Sequence, residues 1–283
     1  VGKTTVALYM IANSAKRHGW KWMLYSAENK TSSIKMQLMQ MYLDKRVGSM
    51  SYAERKKSFD WVNKHFFVVA NDKVYSYLDI LLFMEKVKHQ HNIDAVFVDP
   101  YNSLRLDLRR SEMQNTHDYH YEAATAFLTF SNSRDTAVWL NMHAVTEAQR
   151  RKGSDGLPEP PFAEDTEGGG KFVNRADCFV TVHRKVQAPD PHTRMVSEIH
   201  IRKVRETETG GRPTPIDDPF RLVMNTSHTG FIDWSTQKLL MKPKKFDDGV
   251  QQEIPVDTLR FNIKPNESFV SILPVDAQEE GGD

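Results

Sequence analysis

The chain has a single cysteine, Cys178, so no disulfide can close within it and no cysteine-ligated metal site is available. That usage fits a reducing, cytoplasmic setting and excludes a disulfide-built secreted scaffold. Long hydrophobic runs are also missing: no stretch approaches the ~20 apolar residues of a membrane-spanning helix, and no signal peptide is readable at the start. Charge of one sign is not in excess either, with 38 Lys and Arg against 37 Asp and Glu and a formal net charge of +1, so any nucleic-acid surface must be a local patch. An initiator methionine is absent and the chain opens inside a motif, "VGKTT", which leads us to expect a fragment of something longer. What is present, 283 residues with 39% hydrophobic and 27% charged, is enough for one large elaborated α/β domain with a tail.

Helical and strand-like patterns alternate. Apolar residues recur at helical spacing from Lys3 to His18, and Gly19 supplies a stop. "WKWMLYSAE" reads as a buried strand, and Thr31 or Ser32 offers an N-cap for a helix carrying Ile34, Leu38 and Met41. A helix from about 51 to 64, the strand "FFVVA", a helix from 76 to 91, and the strand "IDAVFVD" follow. A long helix from about 116 to 134 leads into the strand "TAVWLNMH" at 136–143. This rhythm predicts a mainly parallel sheet with crossover helices. Residues 144–170 turn polar and rich in Pro and Gly, too long for an ordinary connection, and read as a mobile functional loop. Three strand-like runs follow, "CFVTVHR", "MVSEIHIRKV" and "PFRLVMN", and the final "DAQEEGGD" reads as disordered.

Ligands of open parallel sheets collect at the carboxyl ends of the strands, so polar residues there are the candidates. Gly2, Lys3, Thr4 and Thr5 supply a helix N-terminus, a lysine for terminal phosphates and a hydroxyl for Mg²⁺, the closing half of a phosphate-binding loop whose first glycine would fall before Val1. Four residues alone fit an ordinary surface helix N-terminus better than a phosphate loop. Asp99 ends its strand where a carboxylate can accept from a metal-bound water, or cap a turn before Pro100. The position after Asp99, where many motor ATPases keep the acid that activates water, is Pro100, so another acid must serve; Glu28, at the end of a neighbouring strand, is either that acid or a solvated residue before a helix. His143 can touch a γ-phosphate and report its loss to the adjoining loop, or be a structural histidine. Lys203 and Arg205, two apart on one strand face, repel each other unless an anion lies opposite, although alone they fit an ordinary basic strand end better.

In order, "GKTT", "YSAE", "DAVFVDP", "WLNMHA", "EGGGKFVNRADCFVTVHR" and "IRKVRET" before "FRLVMN" resemble the C-terminal motor domain of the superfamily 4 replicative helicases, the DnaB, Twinkle and phage primase-helicase group. The resemblance covers roughly residues 1–232 and implies a RecA-like P-loop ATPase whose first strand is missing from the fragment. Residues 233–283 then form a partly disordered extension. It further implies ATP and Mg²⁺ as cofactors, with Gly2, Lys3, Thr4, Thr5 and Asp99 at the nucleotide and Thr4 and Asp99 supporting the metal through water. Glu28 would activate water, His143 would sense the γ-phosphate, and Lys203 and Arg205 would reach a neighbouring subunit's nucleotide in a hexameric ring. Arg150, Arg151, Lys152, Gly169, Gly170 and Lys171 would face single-stranded or forked DNA, although Asp155, Glu159, Glu164, Asp165 and Glu167 nearby would repel it unless turned away. The implied activity is ATP-driven unwinding with 5′ to 3′ polarity, in partnership with a primase domain or protein, in a bacterial host cytoplasm if the source is a phage.

Two other readings fit the same residues. A RecA-like recombinase would form open filaments and exchange strands, and a nucleotide-gated loader would bind ATP without unwinding DNA. A packaging motor fits less well because Pro100 stands where its catalytic acid belongs.

Overall fold

The computed structural model describes residues 2–110 and 115–241. Helix α1 (Lys3–His18) starts after Gly2, at φ 88°, and stops at Gly19, at φ 74°; both are left-handed positions that glycine adopts without penalty. Strand β1 (Trp22–Ser26) is buried at every residue, as a central strand covered on both faces must be. It pairs in parallel with β2 (Phe66–Val68) on one side and β3 (Ala95–Asp99) on the other, and β3 pairs with β4 (Ala137–Leu140), giving the order β2-β1-β3-β4. Helices α2 (Thr31–Leu43) and α3 (Tyr52–His65) join β1 to β2, α4 (Tyr77–His91) joins β2 to β3, and α5 (Thr116–Arg134) joins β3 to β4.

Strand alternation divides the interior into two layers. Met23, Tyr25, Val96 and Val98 pack with Ile80, Phe83, Ala123 and Phe127 of α4 and α5. Trp22, Leu24, Ala95 and Phe97 pack with Leu8, Ile11, Leu38 and Val62 of α1, α2 and α3. Reciprocal capping boxes hold the starts of α3, by Ser51 with Glu54, and α4, by Ser76 with Asp79, and the Asn115 side chain caps α5. The expected cap of α2 is not found. Lys30 occupies that position without a side-chain bond, and Thr31 and Ser32 lie inside the helix.

The parallel arrangement holds for the first four strands. The later runs are strands too, but β5 (Cys178–His183), β6 (Val196–Val204), β7 (Phe220–Met224) and β8 (Phe231–Asp233) form a second sheet that is antiparallel throughout. No long helix stands between them to carry the chain back across a sheet, so each strand returns beside the last. Residues 144–170 are not one open loop. They contain α6 (Thr146–Arg150) and lead into α7 (Gly170–Arg175), and isolated bridges join Ala144 to Thr166 and Lys152 to Pro158. Packing continues past 232: the Met241 N–H donates to the Tyr9 hydroxyl at 2.8 Å and Met241 is buried against α1. The remainder of the expected extension, including "DAQEEGGD", lies outside the described residues.

Leu38 is fully buried in the layer under α1. Leu38→Ala is expected to cost about 2–5 kcal/mol through lost burial and a residual cavity, and Ser76→Ala about 1 kcal/mol through the lost cap of α4. Urea unfolding midpoints of the two variants check both the magnitudes and their order.

Candidate functional site

Asp99 is the last residue of β3 and is 1% exposed. The β1–β3 register places Ser26 directly beside it. The Asp99 carboxylate accepts from the Thr4 hydroxyl at 2.9 and 3.2 Å, from the Ser26 hydroxyl at 3.4 Å, and from the Asn141 side-chain amide. Burial pushes the Asp99 carboxyl above the ordinary range; the bonds from Asn141 and Thr4 pull it back, Glu28 adds to the rise and Lys3 opposes it.

Lys3 donates to the Met142 carbonyl at 2.6 Å, just beyond β4. Burial lowers its pKa, and the carboxylates of Asp99 and Glu28 hold it up. A Cβ added to Gly2 would sit 3.4 Å from Cδ of Arg184, the residue after β5. The N-terminus of α1 therefore lies between the carboxyl ends of β4 and β5, its unpaired N–H groups and positive dipole end beside Asp99. Thr5 follows in α1, half-buried.

Both β1 and β4 are shorter than their sequence patterns suggest, so Glu28 and His143 stand on the loops after them and not at the strand ends. They still meet: His143 Nε2 is 3.4 Å from Glu28 Oε1, with both side chains about half exposed. They line a cleft of about 510 Å³ together with Asn102, Val145, Thr146 and Glu167. An exposed pair of this kind contributes about 0–1 kcal/mol, so a ligand separates it at little cost.

Lys203 and Arg205 are not in that cleft. Lys203 donates to the Val173 carbonyl at 2.6 Å, while Arg205 donates to the carbonyls of Asn174 and Arg175 at 2.9 and 3.0 Å and pairs with Asp177 at 2.8 Å. The negative charge facing these two cations within the chain is thus the C-terminal end of α7 and the carboxylate after it. Burial lowers the pKa of Lys203, and neighbouring Arg205 lowers it further.

The basic segment is unevenly disposed. Arg150 and Lys152 are exposed, Lys171 lies in the first turn of α7, and Arg151 is ion-paired with Asp165 with its guanidinium 5.0 Å from the Phe162 ring centre. Gly168 and Gly169 hold φ of 78° and 50°, and a Cβ on Gly168 would come within 2.9 Å of Phe172. Their glycine character is required by their own turn. Gly170 carries no such constraint, since nothing lies within 4 Å of where its Cβ would be.

The sequence reading missed Ser26 and Asn141, although both follow the rule that found Asp99, being polar residues at strand ends. It also missed Asn102, which carries no local signal. A lysine ammonium, a helix N-terminus, a threonine hydroxyl and a buried carboxylate together fit a Mg²⁺-nucleotide, the hydroxyl and carboxylate being hard oxygen ligands. Among the described residues no group of three His, Cys, Asp or Glu could hold a metal by itself, and a nucleotide-bound Mg²⁺ does not require one.

No protein-family model matches the chain. It is 27% identical over 221 residues to the Twinkle homolog protein, chloroplastic/mitochondrial, of Arabidopsis thaliana, covering 74% of this chain and 30% of that protein. Its fold matches a solved structure of an ATPase domain with a TM-score of 0.64 at 14% identity, covering 82% of this chain and 80% of that one. It also matches a DnaB-like replicative helicase, described with its interactions with primase, with a TM-score of 0.63 at 14% identity, covering 81% and 54%. The chain has the RecA-like α/β fold of these ATPase domains and is similar in sequence to the Twinkle homologue. It spans about 30% of the length of the curated relative it matches. Among the described residues no helix is long and apolar enough to cross a membrane.

In this RecA-like domain the raised pKa of Asp99 has a definite sign. The fold prefers the protonated carboxyl, so the contribution of Asp99 to stability is full below the ordinary carboxylate range and is lost as pH rises through the raised folded value. Asp99→Asn removes the buried charge and is expected to raise the urea midpoint at pH 7, with the advantage over wild type vanishing in acid. A midpoint lowered at pH 7 would show instead that the bonds from Thr4, Ser26 and Asn141 outweigh desolvation.

Proposed function

We propose that this domain is the motor of an ATP-driven replicative DNA helicase. One observation carries the reading: Lys3, Thr4, Asp99, Glu28 and His143, spread over the sequence, converge at the carboxyl ends of neighbouring parallel strands beside a helix N-terminus. The similarity to a Twinkle homologue, to a DnaB-like helicase and to a solved ATPase domain supports it.

Bound ATP and Mg²⁺ would supply the phosphoanhydride and the charge neutralisation of its transfer. The chain's own groups then divide the work. Lys3 and the N-terminus of α1, with Gly2 and Thr5, bind the terminal phosphates, while Thr4 and Asp99 hold the metal and its water. Glu28 accepts the proton of the attacking water, and its 3.4 Å contact with His143 lets the loss of the γ-phosphate register in the segment after β4. In a hexameric ring, Lys203 and Arg205 exchange the carbonyls of α7 for a neighbouring subunit's phosphates. Arg150, Lys152 and Lys171 contact the phosphates of single-stranded DNA, with Arg151 acting through Asp165 and Phe162 to shape the segment. A primase is the expected partner at the fork.

The full-length protein is expected to hydrolyse ATP faster with single-stranded DNA and to open a forked duplex. Hydrolysis indifferent to DNA, with the fork left closed, would remove the helicase reading. Arg205→Ala is expected to lower hydrolysis by about 10³- to 10⁵-fold, as removal of an arginine finger does, with nucleotide binding retained; loss of binding would place Arg205 elsewhere. Glu28→Gln is expected to stall unwinding, whereas a loader that uses ATP only to set assembly would tolerate it.

A further inference from the structure

Glu167 stands where two clefts meet. It lines the 510 Å³ cleft with Glu28 and His143, and a second of about 640 Å³ with His120, Lys171 and Asn174. Its two carboxylate oxygens point to different partners. Oε2 accepts from the Asn102 side-chain amide at 2.5 Å, and Oε1 faces His120 Nε2 at 3.9 Å.

Asn102 is held at both ends. Its oxygen accepts the backbone N–H of His143 at 2.7 Å while its nitrogen donates to Glu167, so neither bond survives a flip of the amide. On the far side of Glu167, His120 is buried and its Nδ1 lies 2.8 Å from the Tyr101 hydroxyl. Burial drives the Tyr101 pKa up, so the phenol keeps its proton beside the ring. Tyr101 and Asn102 lie on the short turn directly after Asp99 and Pro100.

Glu167 also precedes the Gly168–Gly169 turn that starts α7, and the far end of α7 holds Lys203 and Arg205. A shift of the His143 backbone thus reaches α7 through two side-chain hydrogen bonds. The backbone bridge between Ala144 and Thr166 runs beside this route and offers a competing one.

We propose that Glu167 is a positioning residue which, through Asn102, transmits the state of the Glu28–His143 cleft to the Gly168–Gly170 turn and α7. This rests on the reading that the cleft takes nucleotide and the 150–171 segment faces DNA.

The test uses the full-length protein and a fluorescein-labelled oligo-dT, with Kd measured in a non-hydrolysable ATP analogue plus Mg²⁺ and again in ADP plus Mg²⁺. Linked sites differ by about 5- to 150-fold, and Glu167→Ala is expected to bring the ratio of the two Kd values to within about 2-fold. Glu167→Gln keeps an acceptor for Asn102 and is expected to restore most of the ratio. Adding Asn102→Ala to Glu167→Ala should cause no further loss, since both break one link. The Glu167 side chain is 47% exposed, so its truncation is expected to leave the melting temperature near wild type. A wild-type ratio retained in Glu167→Ala, or a ratio lost equally in Glu167→Gln, overturns the proposal and leaves the motor reading standing. A wild-type protein whose oligo-dT affinity ignores the nucleotide overturns both.

Discussion

A buried carboxylate must be answered by donors, and the answer given to Asp99 organises the domain. An ionised carboxyl shut away from water is costly unless its oxygens are bonded. Here the donors come from three elements distant in sequence: Thr4 of α1, Ser26 at the end of β1, and Asn141 just after β4. The bonds to one buried carboxyl therefore tie the helix N-terminus and three neighbouring strands together. The register follows as well, because Ser26 faces Asp99 only when β1 and β3 align as they do, and a slip of one residue would turn every side chain to the wrong layer.

Around this rigid centre the site softens outward. Glu28 and His143 are half exposed and joined by one solvent-screened contact. Lys203 rests on a backbone carbonyl, an acceptor that a phosphate with more negative charge can displace, while Arg205 rests on two carbonyls and on the exposed Asp177 carboxylate. A site that must bind, react and release gains from this gradient. The groups that define where a metal-bearing ligand would sit are costly to move, and those that would respond to its chemistry are not.

The sequence was most legible where the physics is local. Helix periodicity and the glycines at 2 and 19 bound α1 at its observed ends, and the serines at 51 and 76 cap α3 and α4. Strand ends were overextended: Asn141 still exchanges backbone bonds with Val98 and Tyr101, but Met142 and His143 leave the ladder, the His143 N–H going to the Asn102 side chain. The antiparallel second sheet was not legible. A strand's direction depends on which edge it meets after the chain returns, and nothing in "CFVTVHR" encodes that. Asp99, Lys3, Thr4, Glu28 and His143 could be found by a positional rule about strand ends, whereas Asn102 and Glu167, 65 residues apart, become partners only once the folds of two loops are known.

That second sheet also explains how the polar segment is held. The β5–β6 register shifts between Phe179, opposite Lys203, and Val180, opposite Ile201, which leaves Arg202 as the extra residue of a bulge. Bulges re-aim side chains, and the consequence is visible in the neighbours of this short run. Arg202 turns toward the carbonyls of Pro160 and Pro161, at 3.5 and 3.3 Å, with its guanidinium 5.1 Å from the Phe162 ring centre, while Lys203 and Arg205 address the end of α7. One irregular strand thus grips the 150–175 segment at two points through backbone carbonyls, with Arg205 also paired to the Asp177 carboxylate. Because the same run supplies both grips, drawing Lys203 and Arg205 toward an anion elsewhere would loosen α7 while Arg202 still anchors the Pro160–Phe162 stretch. The segment would then be expected to pivot about the bulge instead of detaching, so its basic residues would change aim while remaining tied to the sheet.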